Sequence, residues 1–166
     1  MAGEAPIDDR AAELLGVEPG TPMFRRLRVT SVPDEPPFTL STSWILPEVV
    51  EAAPLVRAQG APGGYLDAIE AAGHGPLAWC EITRARMPTK EEADLLGITT
   101  RLPVVEICRT STSATTGTVV EVTMQVIPSD RVELVIDLQR DSTATYEVLS
   151  HRDLDKDYPA DLDKEP

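Results

Sequence analysis

Basic residues are scarce. Fifteen Lys and Arg stand against 28 Asp and Glu, a formal net charge of −13 over 166 residues. Duplex DNA and anionic membranes are held by clustered Lys and Arg. The chain is therefore not expected to bind nucleic acid directly, nor a membrane surface. No apolar run reaches the roughly 20 residues of a membrane helix. The opening MAGEAPIDDR lacks the pattern of a signal peptide, so a soluble cytoplasmic protein is expected. There are two cysteines and two histidines. Cys80 and Cys108 lie in apolar strand-like runs and read as reduced core thiols rather than a disulfide. His74 and His151 stand alone, without the spacing of a zinc site, and no metal or cofactor is expected. Also missing are a G-x-S-x-G elbow, a phosphate-cradling Gly loop and a zinc-metalloprotease motif. No catalytic residue stands out, and an enzyme is not expected.

What is present suits one domain with a real core, at 42% hydrophobic residues. A helix is expected over 8–15, capped by Asp8 or Asp9 and stopped by Gly16. MFRRLRVTS (23–31) and FTLSTSWIL (38–46) read as strands around the turn VPDEPP. A short helix is expected over 48–53, and a better one over 64–72, where Tyr65, Leu66 and Ile69 share a face. LAWCEITRARM (77–87) alternates as a strand. Thr89 and Glu92 form a capping box, and Gly97 ends that helix. PVVEICRTSTS, ATTG and TVVEVTMQVIP read as a hairpin (103–128), and VELVIDLQR (132–140) as a further strand. The first seven residues are expected to be flexible. The acidic stretch 141–166 is expected to hold at most an edge strand over 143–149 before a disordered tail.

The most informative feature is an internal repeat. AAELLGVEPGTPMFRRLRV and EADLLGITTRLPVVEICRT align without a gap at an offset of 81 residues. Ala12 falls on Ala93, Gly16 on Gly97, Pro22 on Pro103 and Arg28 on Arg109. Both copies run on into a second strand, ending ILP or VIP. Two helix–strand–strand units around a pseudo-twofold axis are the expected architecture.

Strand alternation sorts the candidate binding residues onto faces. Leu27 and Val29 face one side; Phe24, Arg26 and Arg28 face the other. Two guanidiniums on one face repel unless an anion sits between them, and Arg grips carboxylate or phosphate well. The plainer alternative is a solvated outer face with local salt bridges. Glu121, Thr123 and Gln125 form a polar row that could read a polyol, amino sugar or amino acid, or be the wet side of a sheet. Thr39, Ser41 and Ser43 pose the same choice. GAPGG (60–64) offers either backbone N–H groups to an anion or a flexible loop.

Six segments in order resemble the UTRA domain of GntR/HutC-type bacterial transcription regulators. They are LGVEPGTPMFRRLRV, LSTSW, GGYLDAIEAAGH, ARMPTKEEADLLGI, PVVEICRTS and VVEVTMQVIPSDR, together covering about 8–140. The resemblance implies an α+β, chorismate-lyase-like fold: a mainly antiparallel sheet with flanking helices. It implies a homodimer, which open sheet edges also favour, and a pocket for a small anionic metabolite as effector. It places Arg26 and Arg28 on the family's R-x-R strand, Tyr65 on the aromatic opening the middle helix, and Glu121 on the glutamate of the late hairpin. Ser41 stands where many members carry glutamate, Gly63 where a serine is common, and Ile127 near a frequent tyrosine; these departures point away from an amino-sugar phosphate. Family members usually carry a winged helix-turn-helix ahead of this domain. This chain holds none, so DNA contact is expected only through such a missing domain. The competing reading is a chorismate-lyase-like enzyme acting on a small carboxylate.

Overall fold

The computed structural model describes residues 1–53 and 64–137. The elements run β1 (Ala2–Pro6), α1 (Asp9–Leu15), β2 (Pro22–Thr30), β3 (Thr39–Ile45), α2 (Pro47–Ala52) and α3 (Gly64–Ile69). After a π turn over Glu70–His74 come β4 (Leu77–Arg86), α4 (Lys90–Leu96), β5 (Val104–Ser113) and β6 (Val119–Pro128). The six strands form one sheet in the order β1-β2-β3-β6-β5-β4, with every neighbouring pair antiparallel.

The repeat is visible bond by bond. Asp8 caps α1 by accepting from the Ala11 N–H, and Thr89 caps α4 by accepting from the Glu92 N–H, each at the same place in its copy. Gly16 and Gly97 end the two helices at φ 75° and 66°. That left-handed conformation is open to glycine at little cost. Val17 and Ile98 donate back to the Ala12 and Ala93 carbonyls. The copies also extend further upstream than the sequence suggests. Ala2 faces Arg26 and Ala5 faces Met23, just as Thr83 faces Ile107 and Arg86 faces Val104. The unit is therefore strand–helix–strand–strand.

Two expectations change here. Residues 2–6 are not a loose end: they form edge strand β1, ordered by pairing with β2. Residues 132–137 form neither helix nor strand. Strand propensity is largely a matter of fitting a pleated, half-buried surface, and Leu134, Val135 and Ile136 run consecutively instead of alternating. The rest of that run, 138–140, and the edge strand expected over 143–149 lie outside the described residues, as does most of GAPGG.

Helices cover the sheet unevenly. On one face α1 packs Ala11, Ala12 and Leu15 against Met23, Trp44 and Val122, and Leu96 of α4 meets Leu40, Val104 and Val126. On the other face α2 and α3 seal one end only, through Val49, Val50 and Ile69 against Phe24, Ile45 and Val120. Each such aliphatic side chain contributes about 1.5–3 kcal/mol on burial. Beyond that end the second face is open, and the polar residues of β2, β3, β6 and β5 line it.

Candidate functional site

The strand register assembles the site. Directly opposed residues share a face. One row across the sheet reads Ala2, Arg26, Ser43, Thr123, Arg109; the next reads Arg28, Ser41, Gln125, Ile107. Together with Tyr65 from α3 these rows enclose a cavity of about 400 Å³, rimmed by Met1 and Ala2. Arg26, Arg28, Ser41, Ser43, Tyr65, Thr123 and Gln125 all line it. The small hydroxyl residues form its floor and the arginines its walls.

Glu121 takes a different place from the one expected. It is fully buried beneath the cavity. Its carboxylate accepts from the Tyr65 hydroxyl at 2.8 Å, from Ser111 Oγ at 2.6 Å and from Thr123 Oγ1. Fully buried and holding three hydroxyl donors, it does not line the cavity; it positions Tyr65 and Thr123, which do. Ser43 Oγ lies 2.7 Å from Thr123 Oγ1 and 3.3 Å from the Tyr65 hydroxyl, so one network ties three strands to α3. Burial raises the Tyr65 phenol above its ordinary pKa, and the adjacent Glu121 charge reinforces this. Tyr65 therefore stays a neutral donor and acceptor.

The Arg26 guanidinium lies 4.3 Å from the Tyr65 ring centroid, a cation–π contact. Burial holds its pKa below the ordinary value; the Tyr65 side chain opposes this, Arg28 adds to it and Glu121 opposes it. Among the described residues neither Arg26 nor Arg28 forms an ion pair.

Reading by faces missed Arg109. It lines the same cavity from β5, and its Nε is buried with no hydrogen-bond partner among the described residues. The signal was present: Arg109 is the repeat mate of Arg28. Its strand pairing has moved by one residue, because Arg28 faces Ser41 while Arg109 faces Thr123, where the repeat alignment places Val122. A one-residue slip exchanges the faces of a strand. Here it puts the polar row of β6 beside the serines of β3.

The cysteines divide. Cys108 is buried and Cys80 is exposed on edge strand β4, so only one is a core thiol. Burial first, and Glu106 beside it, push the Cys108 thiol up to about 11.

The model of the UTRA domain matches residues 2–133. The chain belongs to the UTRA family. Its match begins at β1, earlier than the motif segments suggest. An uncharacterized HTH-type transcriptional regulator of Streptomyces coelicolor is 36% identical over 113 residues, covering 66% of this chain and 41% of that protein. The chain thus spans about two fifths of that relative's length. A crystallised GntR-family transcriptional regulator superposes with a TM-score of 0.71 at 26% identity, covering 85% of this chain and 58% of that one. The C-terminal domain of the histidine utilization repressor from Pseudomonas syringae pv. tomato gives 0.66 at 20% identity, covering 84% and 95%. The effector domain of PhnF from Mycobacterium smegmatis gives 0.64 at 21%, covering 84% of each. The fold is the chorismate-lyase-like one of such domains. The relatives matched are HTH-type and GntR-family transcriptional regulators, and the enzyme reading is not favoured.

Proposed function

We propose that this UTRA domain senses a small anionic metabolite in the cavity walled by Arg26 and Arg28, and that binding alters DNA affinity through a winged-helix domain outside this sequence. The observation that carries this reading is the pairing state of the two arginines. They share one face of the sheet, Arg26 half-buried and Arg28 exposed, with no carboxylate paired to either among the described residues, beside a floor of hydroxyl and amide groups. The half-buried charge of Arg26 is costly unless an anion answers it, and Arg28 stands at the open side where that anion would enter. Ser41, Ser43, Thr123 and Gln125 then read the uncharged part of the ligand, and Glu121 acts through Tyr65 and Thr123. The setting is that of a bacterial, cytoplasmic, HutC-like regulator acting as a homodimer. No described helix is long and apolar enough to cross a membrane.

A thermal-shift screen of phosphorylated sugars, carboxylates and amino acids tests the reading. A ligand at a hundredfold excess over Kd stabilises the folded state by about 2.7 kcal/mol. Arg26→Ala or Arg28→Ala should weaken a true effector by roughly 1.5–3 kcal/mol. An effector that binds both variants as tightly as the parent would return the arginines to the solvated-face reading.

A further inference from the structure

Resting on that reading, we infer that the effector carries at least two negative charges, and that Arg109 is the third member of the clamp, supplied by the second half of the repeat. Arg26 and Arg109 lie in one row with Ser43 and Thr123 between them. That is three strand spacings, about 14 Å between backbones. The residues between are small, so the long arginine side chains face each other across a trough rather than a filled surface. Arg28 stands one row further along the same wall.

The charge balance of the trough is one-sided. Among the described residues three guanidiniums line it and no carboxylate does. Glu121, fully buried and outside the lining, already accepts from three hydroxyls. On the sheet, Arg109 stands directly opposite Glu81 of β4, yet the two form no ion pair among the described residues. Among the described residues the buried Arg109 Nε is left without an acceptor. A buried donor in that state is destabilising unless a partner arrives. A monoanion held by Arg26 and Arg28 would leave two of the three positive charges unanswered and Arg109 still unmet. A dianion, whether its charges sit on one group or at two ends of a short molecule, leaves only one unanswered and offers acceptor oxygens to all three arginines.

Two matched probe pairs separate charge from shape. Sulfate and methanesulfonate place two charges or one on a similar tetrahedral group. Succinate and its monomethyl ester place two or one on a short chain. Binding is measured by titration calorimetry at constant ionic strength, because sulfate raises melting temperatures by exclusion alone. The parent should bind the dianion of at least one pair about tenfold or more tightly than its monoanion. Arg109→Ala and Arg109→Gln should bind both members alike, while Arg28→Ala weakens both. Equal binding of dianion and monoanion by the parent, no binding of either pair, or a preference that survives loss of Arg109 would overturn the proposal. If Arg28→Ala leaves binding unchanged, it is the two-arginine clamp that fails, whatever Arg109 does. If Arg109 serves Glu81 instead, the parent shows no preference and Glu81→Gln creates one; a preference already present in the parent, and equal or stronger in Glu81→Gln, is expected.

Discussion

Arg26 and Arg28 on β2 and Arg84 and Arg86 on β4 share the spacing R-x-R, on strands that are each paired to a neighbour. Their surroundings differ completely. Arg84 and Arg86 lie on the face that carries α1 and α4, and both donate to the buried carboxylate of Glu106, at 2.5 and 2.6 Å. Arg86 also makes two bonds to Glu92, the capping-box residue of α4, at 2.6 and 2.7 Å. Within this four-residue cluster every charge is answered, and the result fastens a helix to the sheet. On the opposite face, Arg26 and Arg28 have no carboxylate partner among the described residues. Motif spacing alone does not tell a structural arginine pair from a binding one. The acids on the facing elements do.

The largest effect should come from breaking the closed network. Glu106→Ala leaves two arginines without their shared acceptor. Losing one partner of a fully buried pair costs about 3–5 kcal/mol, and partial exposure of Arg84 reduces that to about 3 kcal/mol here. Urea denaturation should show it as a lowered midpoint at unchanged slope, with anion binding on the other face intact.

The same network sets the acid limit. Burial alone would raise the Glu106 carboxyl, but its bonds to Arg84 and Arg86 outweigh this and hold it below the usual carboxylate range. Glu92 is likewise lowered: burial pushes it up, and Arg86 together with the cap N–H of Thr89 pushes it further down. A lowered folded-state pKa gives stability that is present above the unfolded value, near 4.3, and lost as pH falls through the folded one. Stability should therefore fall below about pH 4.5, and Glu106→Gln should flatten that fall. An unchanged acid slope in the variant would place the lost charge effect elsewhere.

Next in size is Tyr65, which joins α3 to the floor of the cavity. Tyr65→Phe removes a donor from the buried Glu121 carboxylate, at a cost of about 1.5–2 kcal/mol, while the ring remains to pack against Arg26. Its crystal structure should keep α3 in place. A fall in anion affinity is expected as well, because Thr123 and Ser43 lose a partner.

The sequence shows the fold well wherever a segment carries its own signal. Both helix caps, the stop glycines, the β5–β6 hairpin and the alternation of β2 could be read directly. What escaped were features set by a neighbour. The segment AGEAP has little strand propensity and becomes β1 only because β2 offers it a ladder. The repeat could have revealed it, since its mate is the clear strand TRARM. The same comparison would have put Arg109 in the site, because its mate is Arg28. Cys80 looked like core because the β4 run is apolar, but the sheet ends there and leaves it exposed. The buried role of Glu121 depends on Tyr65, 56 residues away in sequence, which no local pattern conveys.

Smaller effects test whether the halves are equivalent. Gly16→Ala and Gly97→Ala each force a Cβ into the left-handed region. Nothing lies within 4 Å of the added atom at either site, so the cost is purely that of the backbone, about 1 kcal/mol each. The two losses should match and should add in the double variant. A marked inequality in thermal denaturation would show that one copy has come to depend more on its helix.

The smallest expected change is the most telling for the comparison. In the absence of ligand, Arg28→Ala removes no ion pair and no hydrogen bond found among the described residues. It also relieves repulsion with Arg26, since Arg28 is one of the groups that disfavour the charge on Arg26. Stability should stay within about 0.5 kcal/mol of the parent, or rise slightly, and the rise should shrink as salt screens the two charges. Denaturation of Arg28→Ala at low and at high salt, beside Arg84→Ala, measures this directly. Arg84→Ala should be the more destabilising of the two, because it strips a partner from Glu106. If Arg28→Ala costs as much, then β2 holds a structural pair whose acceptor lies outside the described residues, and the open face would need another reason for being polar.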